Sequence, residues 1–197
     1  MKLISLILLV FTIAPSDSWE LQIDKDDVQV YTRPYTGSEY VEYKATTVLD
    51  ADINLVYEVI MDGENLTKWT HNAMGSKTLS DPDKNTRIIH ICHDMPWPVR
   101  DRDNISYVVT QRNSDGSIRM NISPADNSLI VTDKYVRMDK FKGHWLLEPV
   151  EGGVRATQQL WGDPAGNLPA WAVNSAIQKS SHTSFIGLRK RVAELKQ

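Results

Sequence analysis

The sequence predicts an α+β domain in which a curved antiparallel sheet and two short helices pack against one long C-terminal helix. Alternating apolar and polar residues recur in segments separated by turn sequences, at Asp81–Asn85, Asn113–Gly116 and Glu151–Gly153. The last segment instead repeats its apolar residues at helical spacing from about Pro169 to about Leu195. A run of strands followed by one long helix favours helices packed on one side of an antiparallel sheet.

The composition fits a single globular domain. The chain has 197 residues, of which 41% are hydrophobic and 24% charged, so one sizeable core can form. A formal net charge of −3 argues against a nucleic-acid-binding protein, since such proteins usually present a basic face. We find no internal repeat and no low-complexity segment, and we expect a monomer that binds no nucleic acid.

Residues 1–18 have the character of a signal peptide. Lys2 precedes an apolar run from Leu3 to Ile13, and small residues follow that run. The run is shorter than the roughly 20 residues that a membrane span needs. We therefore expect export to the periplasm or the extracellular side and a folded domain over 19–197. Cleavage of the leader and its retention as an anchor both stay open.

Three strands and the two short helices should come first along the domain. Alternation on both sides of Asp26–Asp27 predicts a hairpin of Trp19–Lys25 and Val28–Arg33, and Tyr40–Leu49 predicts a third strand. Apolar residues at helical spacing after Asp50 or Asp52 predict a short helix, because aspartate is a favourable N-cap. A second helical turn is expected over Asn65–Trp69.

Three further hairpins and the long helix should follow. The expected strand pairs are Lys77–Leu79 with Arg87–His93, Asn104–Arg112 with Ile118–Ile122, and Phe141–Val150 with Val154–Trp161. Pro169 suits the first turn of the long helix, and Asn167 is the expected N-cap.

The middle of the long helix carries small, weakly polar residues on its apolar stripe. Ser180, Ser181 and Ser184 stand where a helix packed tightly on a sheet would carry leucine or isoleucine. This pattern indicates a cavity beneath the helix, a close contact between helix and sheet, or a solvated section. The residues alone leave all three open.

The region around the single cysteine contains metal-binding residue types but lacks the spacing of a metal site. His90, Cys92 and Asp94 would share one face of a strand, with His93 on the other. Zinc sites usually use paired spacings such as CxxC or HExxH, and neither is present. There is also no nucleophile elbow and no glycine-rich phosphate loop. We therefore predict no metal, no cofactor and no catalytic residue, and a buried, inert Cys92.

The stretch Pro96–Asp103, with the sequence PWPVRDRD, predicts a structural corner between two strands. Its two prolines remove two backbone donors and so end the first strand. We expect Trp97 to plug the corner against the core, and Arg100–Asp101 to face solvent. Arg102–Asp103 should anchor the start of the next strand through hydrogen bonds or an ion pair.

Three segments, taken in order, resemble the START lipid-binding family within the wider helix-grip superfamily. They are Trp69 after the short helices, the proline-rich turn that ends at Arg102–Asp103, and Asp163–Asn174, which resembles the family's Asp-Pro-x-Gly-x-x-Pro-x-Trp lead into the C-terminal helix. The resemblance spans about residue 19 to the end. It implies a sheet wrapped around the long helix, a tunnel for one lipid or other hydrophobic molecule, no cofactor, and an exported bacterial member of the family.

The function implied by this resemblance is non-enzymatic lipid binding, for transport or for sensing. The candidate ligand-binding residues are Arg102, Asn104, Ser106, Val108, Trp145, Leu147, Ile177, Ser180, Ser181 and Ser184. The strand after Asp103 carries no charge before Arg112, unlike that of some sterol-handling members, which favours hydroxyl and amide anchors over a buried charge and argues against a sterol. Transient contact with anionic lipid is expected at the basic cluster Arg189–Arg191.

Two alternatives stay open. An enzyme of the wider superfamily, cyclase-like or hydrolase-like, would place titratable residues such as His90, Asp94 or His144 in the cavity. A protein-interaction domain would have a filled interior and a large exposed apolar patch.

Overall fold

The computed structural model describes residues 18–196, so residues 1–17 of the expected signal peptide lie outside the described residues. The strands are β1 Glu20–Lys25, β2 Val28–Arg33, β3 Glu42–Leu49, β4 Ala73–Asp83, β5 Thr86–His93, β6 Arg102–Arg112, β7 Ile118–Pro124, β8 Val136–Arg137, β9 Lys140–Val150 and β10 Gly153–Asp163. The α-helices are α1 Ile53–Met61 and α2 Ala170–Leu195. Within 18–196, no helix combines the length and the apolar character needed to cross a bilayer.

The strands form one large, open antiparallel sheet that wraps α2. Its order is β1-β2-β3-β10-β9-β7-β6-β5-β4, and β8 pairs with β6 as a short parallel strand. The predicted α+β architecture is therefore confirmed, with every predicted hairpin present. The second predicted short helix is a single 3-10 turn, Leu66–Lys68.

The N-termini of the two helices differ in whether a side chain caps them. Asp52 caps α1, because its side chain accepts a hydrogen bond from the Asn54 backbone N–H. The expected cap of α2 by Asn167 is wrong: α2 begins after Pro169, which is extended and provides no side-chain cap. The fixed φ of proline presets the entry to the helix, and the Pro169 carbonyl accepts the first hydrogen bonds of the helix, from the Ala172 and Val173 backbone N–H groups.

The C-terminal half of α2 closes the hydrophobic core. Phe185, Leu188 and Val192 are buried on its inner side, together with Val56 of α1 and Leu147 of β9. This packed region spans the end of the sheet that lies nearest to α1. It provides the apolar burial that holds the fold without a disulfide.

The segment 125–139 has no counterpart among the predicted elements. It contains a 3-10 turn, Asn127–Leu129, and the two-residue strand β8. A strand of two residues has no periodicity, so hydrophobic patterning does not reveal it. Val136 and Met138 donate backbone hydrogen bonds to Asp101 and Asp103, which fastens the segment beside the start of β6.

The corner before β6 corrects one expectation and confirms another. Trp97 does not plug the core, since 93% of it is exposed to solvent. Residues 96–99 form a turn between the end of β5 and the start of β6, in which the Val99 N–H donates to the Pro96 carbonyl. Arg102 and Asp103 do anchor the strand through several hydrogen bonds, as predicted.

Candidate functional site

The inner face of the sheet, which looks toward the helices, carries the candidate residues of β6. Asn104, Ser106 and Val108 lie on one face by alternation, and Val108 belongs to the core. Further along this face, the Thr110 hydroxyl lies 3.3 Å from the Tyr57 hydroxyl of α1. The face that holds Asn104 and Ser106 is therefore the one that the helices cover.

His93 joins this face from the neighbouring strand. In the register of β5 with β6, Ile91 pairs with Asn104 and His93 pairs with Arg102. Residues paired in this way point to the same side, so the His93 ring lies on the inner face. Alternation alone separates His93 from His90, but the partner strand, and thus the neighbours of His93, became visible only in the sheet.

Three inner-face side chains form a continuous hydrogen-bonded chain, which we call the polar chain: His93, Asn104 and Ser106. His93 Nε2 lies 2.8 Å from Asn104 Oδ1, and Asn104 Nδ2 donates to Ser106 Oγ at 2.8 Å. With this amide orientation Nε2 carries the proton and Nδ1 is free to accept. Burial lowers the pKa of His93, so the imidazole is neutral near pH 7.

The apolar inner face differs between the two halves of α2. Around the C-terminal half, side chains such as Leu147 and Leu188 are fully buried. Beneath the N-terminal half, the inner-facing side chains keep partial exposure while packing against the core: Ile91, Ile122, Leu160 and Ile177. Close packing therefore gives way to accessible apolar surface in the region of the polar chain.

The small residues of α2 have different surroundings along the length of the helix. Ser184 Oγ accepts the backbone N–H of His71 at 3.0 Å. A Cβ added to Gly187 would lie 2.3 Å from the Trp69 carbonyl oxygen, so small residues are required where α2 crosses this turn. Ser181 is buried and donates to the Gln178 carbonyl within the helix. Ser180 lies nearer the N-terminus, beyond this close contact, and is partly buried.

An aromatic cluster within the buried core joins α2 to β9 and to the turn before β4. Trp145 stacks on Phe185 with ring centroids 5.3 Å apart, and Trp69 meets Trp145 edge-on at 6.2 Å. Trp69 is buried, and its Nε1–H has no hydrogen-bond partner in the described part of the chain. Buried polar groups normally have a partner, so this donor is an exception within the core.

Arg102 closes the inner face at the end of the sheet and is held by backbone carbonyls. Its guanidinium donates to Pro164 O and Ala165 O, both at 3.3 Å, and also to Arg100 O. Burial, followed by the neighbouring Arg100, lowers the pKa of Arg102. These bonds fasten the start of β6 to the turn that leads into α2.

The residues suspected of metal binding or catalysis face the other way. His90 Nε2 lies 2.8 Å from Asp103 Oδ2, and Cys92 Sγ lies 3.7 Å from the same nitrogen. A nucleophile relay needs both ring nitrogens, one toward the nucleophile and one toward the acid, so this trio lacks that geometry. Among residues 18–196, no group of three or more His, Cys, Asp or Glu side chains could hold a metal ion.

The other two residues of the enzyme hypothesis do not converge with His90. His144 lies on the outer face, opposite Gln159 of β10. Asp94 lies beyond the end of β5 and is exposed. Among the described strands, the inner face thus receives one histidine, His93, which the candidate set omitted.

A groove of about 500 Å³ lies at the other end of α2. Its lining residues include Leu49 and Asp50 of the β3 end and Arg189 and Val192 of α2. It shares no residue with the polar chain. The groove is therefore a recess on the surface, and it is not the space between the sheet and the N-terminal half of α2.

Three strongly exposed apolar side chains lie on segments that adjoin the start of β6. Trp97, Val131 and Trp171 are 93%, 89% and 78% exposed. The three segments that carry them are joined, because Arg100 donates to the Asp133 carbonyl and Arg102 donates to the Pro164 carbonyl. We call these three side chains the apolar tip.

The ten candidate ligand-binding residues are divided between the inner face of the sheet and α2. Those on strands lie on the inner face, with Leu147 and Trp145 in the packed core, Asn104 and Ser106 in the polar chain, and Arg102 at the strand end. The four on α2, Ile177, Ser180, Ser181 and Ser184, lie along the side of the helix that turns toward the sheet.

Comparison with known proteins identifies a single family over nearly the whole chain. The family model described as START domain matches residues 14–197. An uncharacterized protein from Pseudomonas aeruginosa is 32% identical over 178 residues, which cover 89% of this chain and 87% of that protein. The mouse protein StAR-related lipid transfer protein 7, mitochondrial, is 23% identical over 68% of this chain, and the match spans only 37% of that relative.

Solved structures agree with this assignment. The fold matches a STAR-related lipid transfer protein fragment from Xanthomonas axonopodis with a TM-score of 0.83 at 25% identity, covering 90% of this chain and 99% of that one. Human StAR-related lipid transfer protein 5 superposes with a TM-score of 0.82 at 19% identity, covering 91% and 88%. The second match supports the fold alone.

Proposed function

This chain belongs to the START domain family, and from that premise we propose that it binds one lipid or other hydrophobic molecule, without catalysis, beneath the N-terminal half of α2. The observation that carries the proposal is the change in packing along the inner face. Side chains there are apolar yet partly exposed, and one of them, Ile91, pairs directly with Asn104 of the short polar chain. Apolar walls with a few convergent polar groups suit a hydrophobic ligand that has one polar end.

The absence of a catalytic step is part of the proposal. The histidines that an enzyme would need, His90 and His144, belong to the outer face of the sheet. His90 already bonds the buried carboxylate of Asp103. The side chains of the polar chain are hydrogen-bonded to one another in series, and the carboxylate nearest to His93, that of Asp103, lies on the other face of the sheet, which suits binding better than proton transfer.

The test is native mass spectrometry of the full chain after incubation with a total lipid extract. We expect one lipid per protein molecule. The Ile177→Trp variant, which fills the accessible region, should lose most of the bound lipid. Its matched control, Ala176→Trp, lies one position away on the exposed side of α2 and should bind normally. Wild-type protein that is recovered empty and takes up nothing from the extract would overturn the proposal.

Ligand exchange would occur at a membrane, through the apolar tip. Tryptophan is favoured at the membrane–water boundary, because its ring is apolar while its N–H remains in a polar layer. Trp97 and Trp171 expose nearly their whole rings at the end of the molecule where the polar chain lies. The basic cluster at the other end of α2 is a weaker candidate, since Arg189 pairs with Asp27 at 3.0 Å and Arg191 with Glu194 at 3.4 Å.

We also propose that the protein is exported, on the composition of residues 1–18. Fractionation of the native host, with an antibody against the folded domain, tests this directly. Recovery of the protein in the cytoplasm with Met1 retained would contradict it.

A further inference from the structure

We propose that the polar chain selects a neutral lipid whose head group carries a free hydroxyl, in preference to a lipid with an anionic head group. This inference rests on the proposed function and specifies the class of ligand. It concerns the chemistry that His93, Asn104 and Ser106 present together, with a fourth polar side chain beside them.

The polar chain retains unused hydrogen-bonding capacity at both ends. The Ser106 hydroxyl accepts from Asn104, and its own proton has no protein acceptor among residues 18–196. With Nε2 bonded to Asn104, His93 Nδ1 has no partner among these residues either. One end therefore donates and the other accepts. A hydroxyl group, which both donates and accepts, matches this pair of functions.

A second, independent observation lies in the same row of the sheet. Ser76 of β4 pairs with Ile91, which in turn pairs with Asn104, so Ser76 points to the inner face. The Ser76 Oγ atom is buried and has no hydrogen-bond partner within residues 18–196. A buried hydroxyl without a partner is unfavourable by about 1–3 kcal/mol, which a polar ligand group would relieve.

The charge of the surroundings argues against an anionic head group. On the inner faces of β3, β5, β6, β7, β9 and β10, the charged side chains lie near strand ends and already have protein partners. These are Arg87 with Asp81, Arg102 with three carbonyls, and Arg112 with Asn54. A phosphate or carboxylate beside the polar chain would be desolvated with no cation free to pair with it.

The protonation state of His93 also argues against an anionic head group. Burial lowers its pKa, so near neutral pH the ring adds no positive charge that could attract a phosphate. The groups that face the ring are Asn104, the carboxylate of Asp103 on the other side of the sheet, and His90 beside that carboxylate. Arg102, which pairs with His93 in the strand register, is a cation on the inner side, but its guanidinium already donates to three backbone carbonyls.

The experiment is competitive uptake by the full chain from vesicles that contain equal amounts of four probes. These are a diacylglycerol, the same diacylglycerol with its hydroxyl acetylated, a phosphatidic acid with the same acyl chains, and cholesterol. Bound lipid is extracted and quantified by mass spectrometry. The acetylated probe removes the hydroxyl donor but keeps the acyl chains and the lack of charge, and the cholesterol arm separates a sterol hydroxyl from a glycerolipid hydroxyl.

We expect a hydroxyl-bearing probe to exceed both the acetylated probe and the phosphatidic acid by about tenfold, the effect of one buried hydrogen bond. Ser106→Ala should reduce this preference, and Asn104→Leu should abolish it. Ser123→Ala, an exposed serine of β7, is the matched control and should keep the preference. Because Ser106→Ala removes a single atom, it remains informative if Asn104→Leu fails to fold.

The outcomes separate the two proposals. Uptake of no probe, together with an empty protein from the total lipid extract, overturns lipid binding itself. Equal uptake of all four probes, or a preference for phosphatidic acid, overturns the inference and leaves lipid binding standing. A preference that survives in Ser106→Ala and Asn104→Leu also overturns it, because the selectivity would then come from other residues.

Discussion

Asp103 and Arg137 form a two-pronged ion pair on the outer face of the sheet, with Nε–Oδ1 and Nη2–Oδ2 distances of 2.8 Å each. Asp103 is fully buried and also accepts a hydrogen bond from His90. The Arg137 guanidinium also donates hydrogen bonds to the Asn127 and Ile130 carbonyls. The pair therefore holds the irregular segment 125–139, which carries Val131 of the apolar tip, against β5 and β6.

Breaking this pair should be strongly destabilising. In Arg137→Met the buried carboxylate of Asp103 loses its main partner, and we expect the free energy of unfolding to fall by about 3–5 kcal/mol. Urea denaturation measures the change. Arg119→Met, on the outer face of β7, removes an arginine that bonds only an exposed asparagine and should cost less than about 1 kcal/mol. Equal losses in the two variants would contradict a special role for the pair.

The stability of the protein should fall in mild acid because of His93. Its pKa is lowered in the folded state by burial, so the unfolded chain binds the proton more tightly. The contribution of His93 to the free energy of unfolding is complete above the pKa of the unfolded chain, about 6.5, and is lost as the pH falls through the pKa of the folded protein. It amounts to about 1.4 kcal/mol for each unit by which these two pKa values differ. Urea denaturation between pH 7 and pH 5 should show a shallower decline for His93→Gln. Parallel profiles would show that another group is responsible.

Gly187→Ala should destabilise the protein although alanine is the better helix former. Helix propensity alone predicts a gain of about 1 kcal/mol for this change. The added Cβ would instead lie 2.3 Å from the Trp69 carbonyl oxygen, a backbone atom that cannot rotate away. Thermal unfolding should show a lower midpoint for Gly187→Ala, and no decrease for Thr183→Ala on the exposed side of α2.

The apolar tip should bind neutral bilayers as well as anionic ones. We expect Trp97→Ser with Trp171→Ser to reduce vesicle co-flotation severalfold, with little change in stability because both side chains are solvent-exposed. Leu195→Ser, at the other end of α2, is the control for loss of an exposed apolar side chain. Co-flotation that requires anionic lipid and disappears at high salt would instead point to a basic surface.

The order and type of the elements could be read from the sequence because each long element carries its own periodicity. The helix over Ala170–Leu195 and the strands β5, β6, β7, β9 and β10 fall close to the predicted ranges, whereas β4 extends over Ala73–Asp83 where only Lys77–Leu79 was expected. The exceptions are local: β8 is too short to have a pattern, and the N-terminus of α2 is preset by Pro169 without a cap. The family resemblance also followed from motifs that occur in order along the chain.

The site could be predicted only in part, because it depends on strand register and on which side of the sheet the helix lies. Asn104 and Ser106 were identifiable as polar residues on a strand, but His93 was not, since its partner belongs to the next strand. Trp97 was expected inside and lies outside, because no sequence pattern shows how far a corner projects from the core. The amino-acid sequence was enough to predict the long elements and to indicate the family. The folded chain was needed to see which polar groups share the inner face and which aromatic rings meet the solvent, because both follow from contacts between residues distant in the chain.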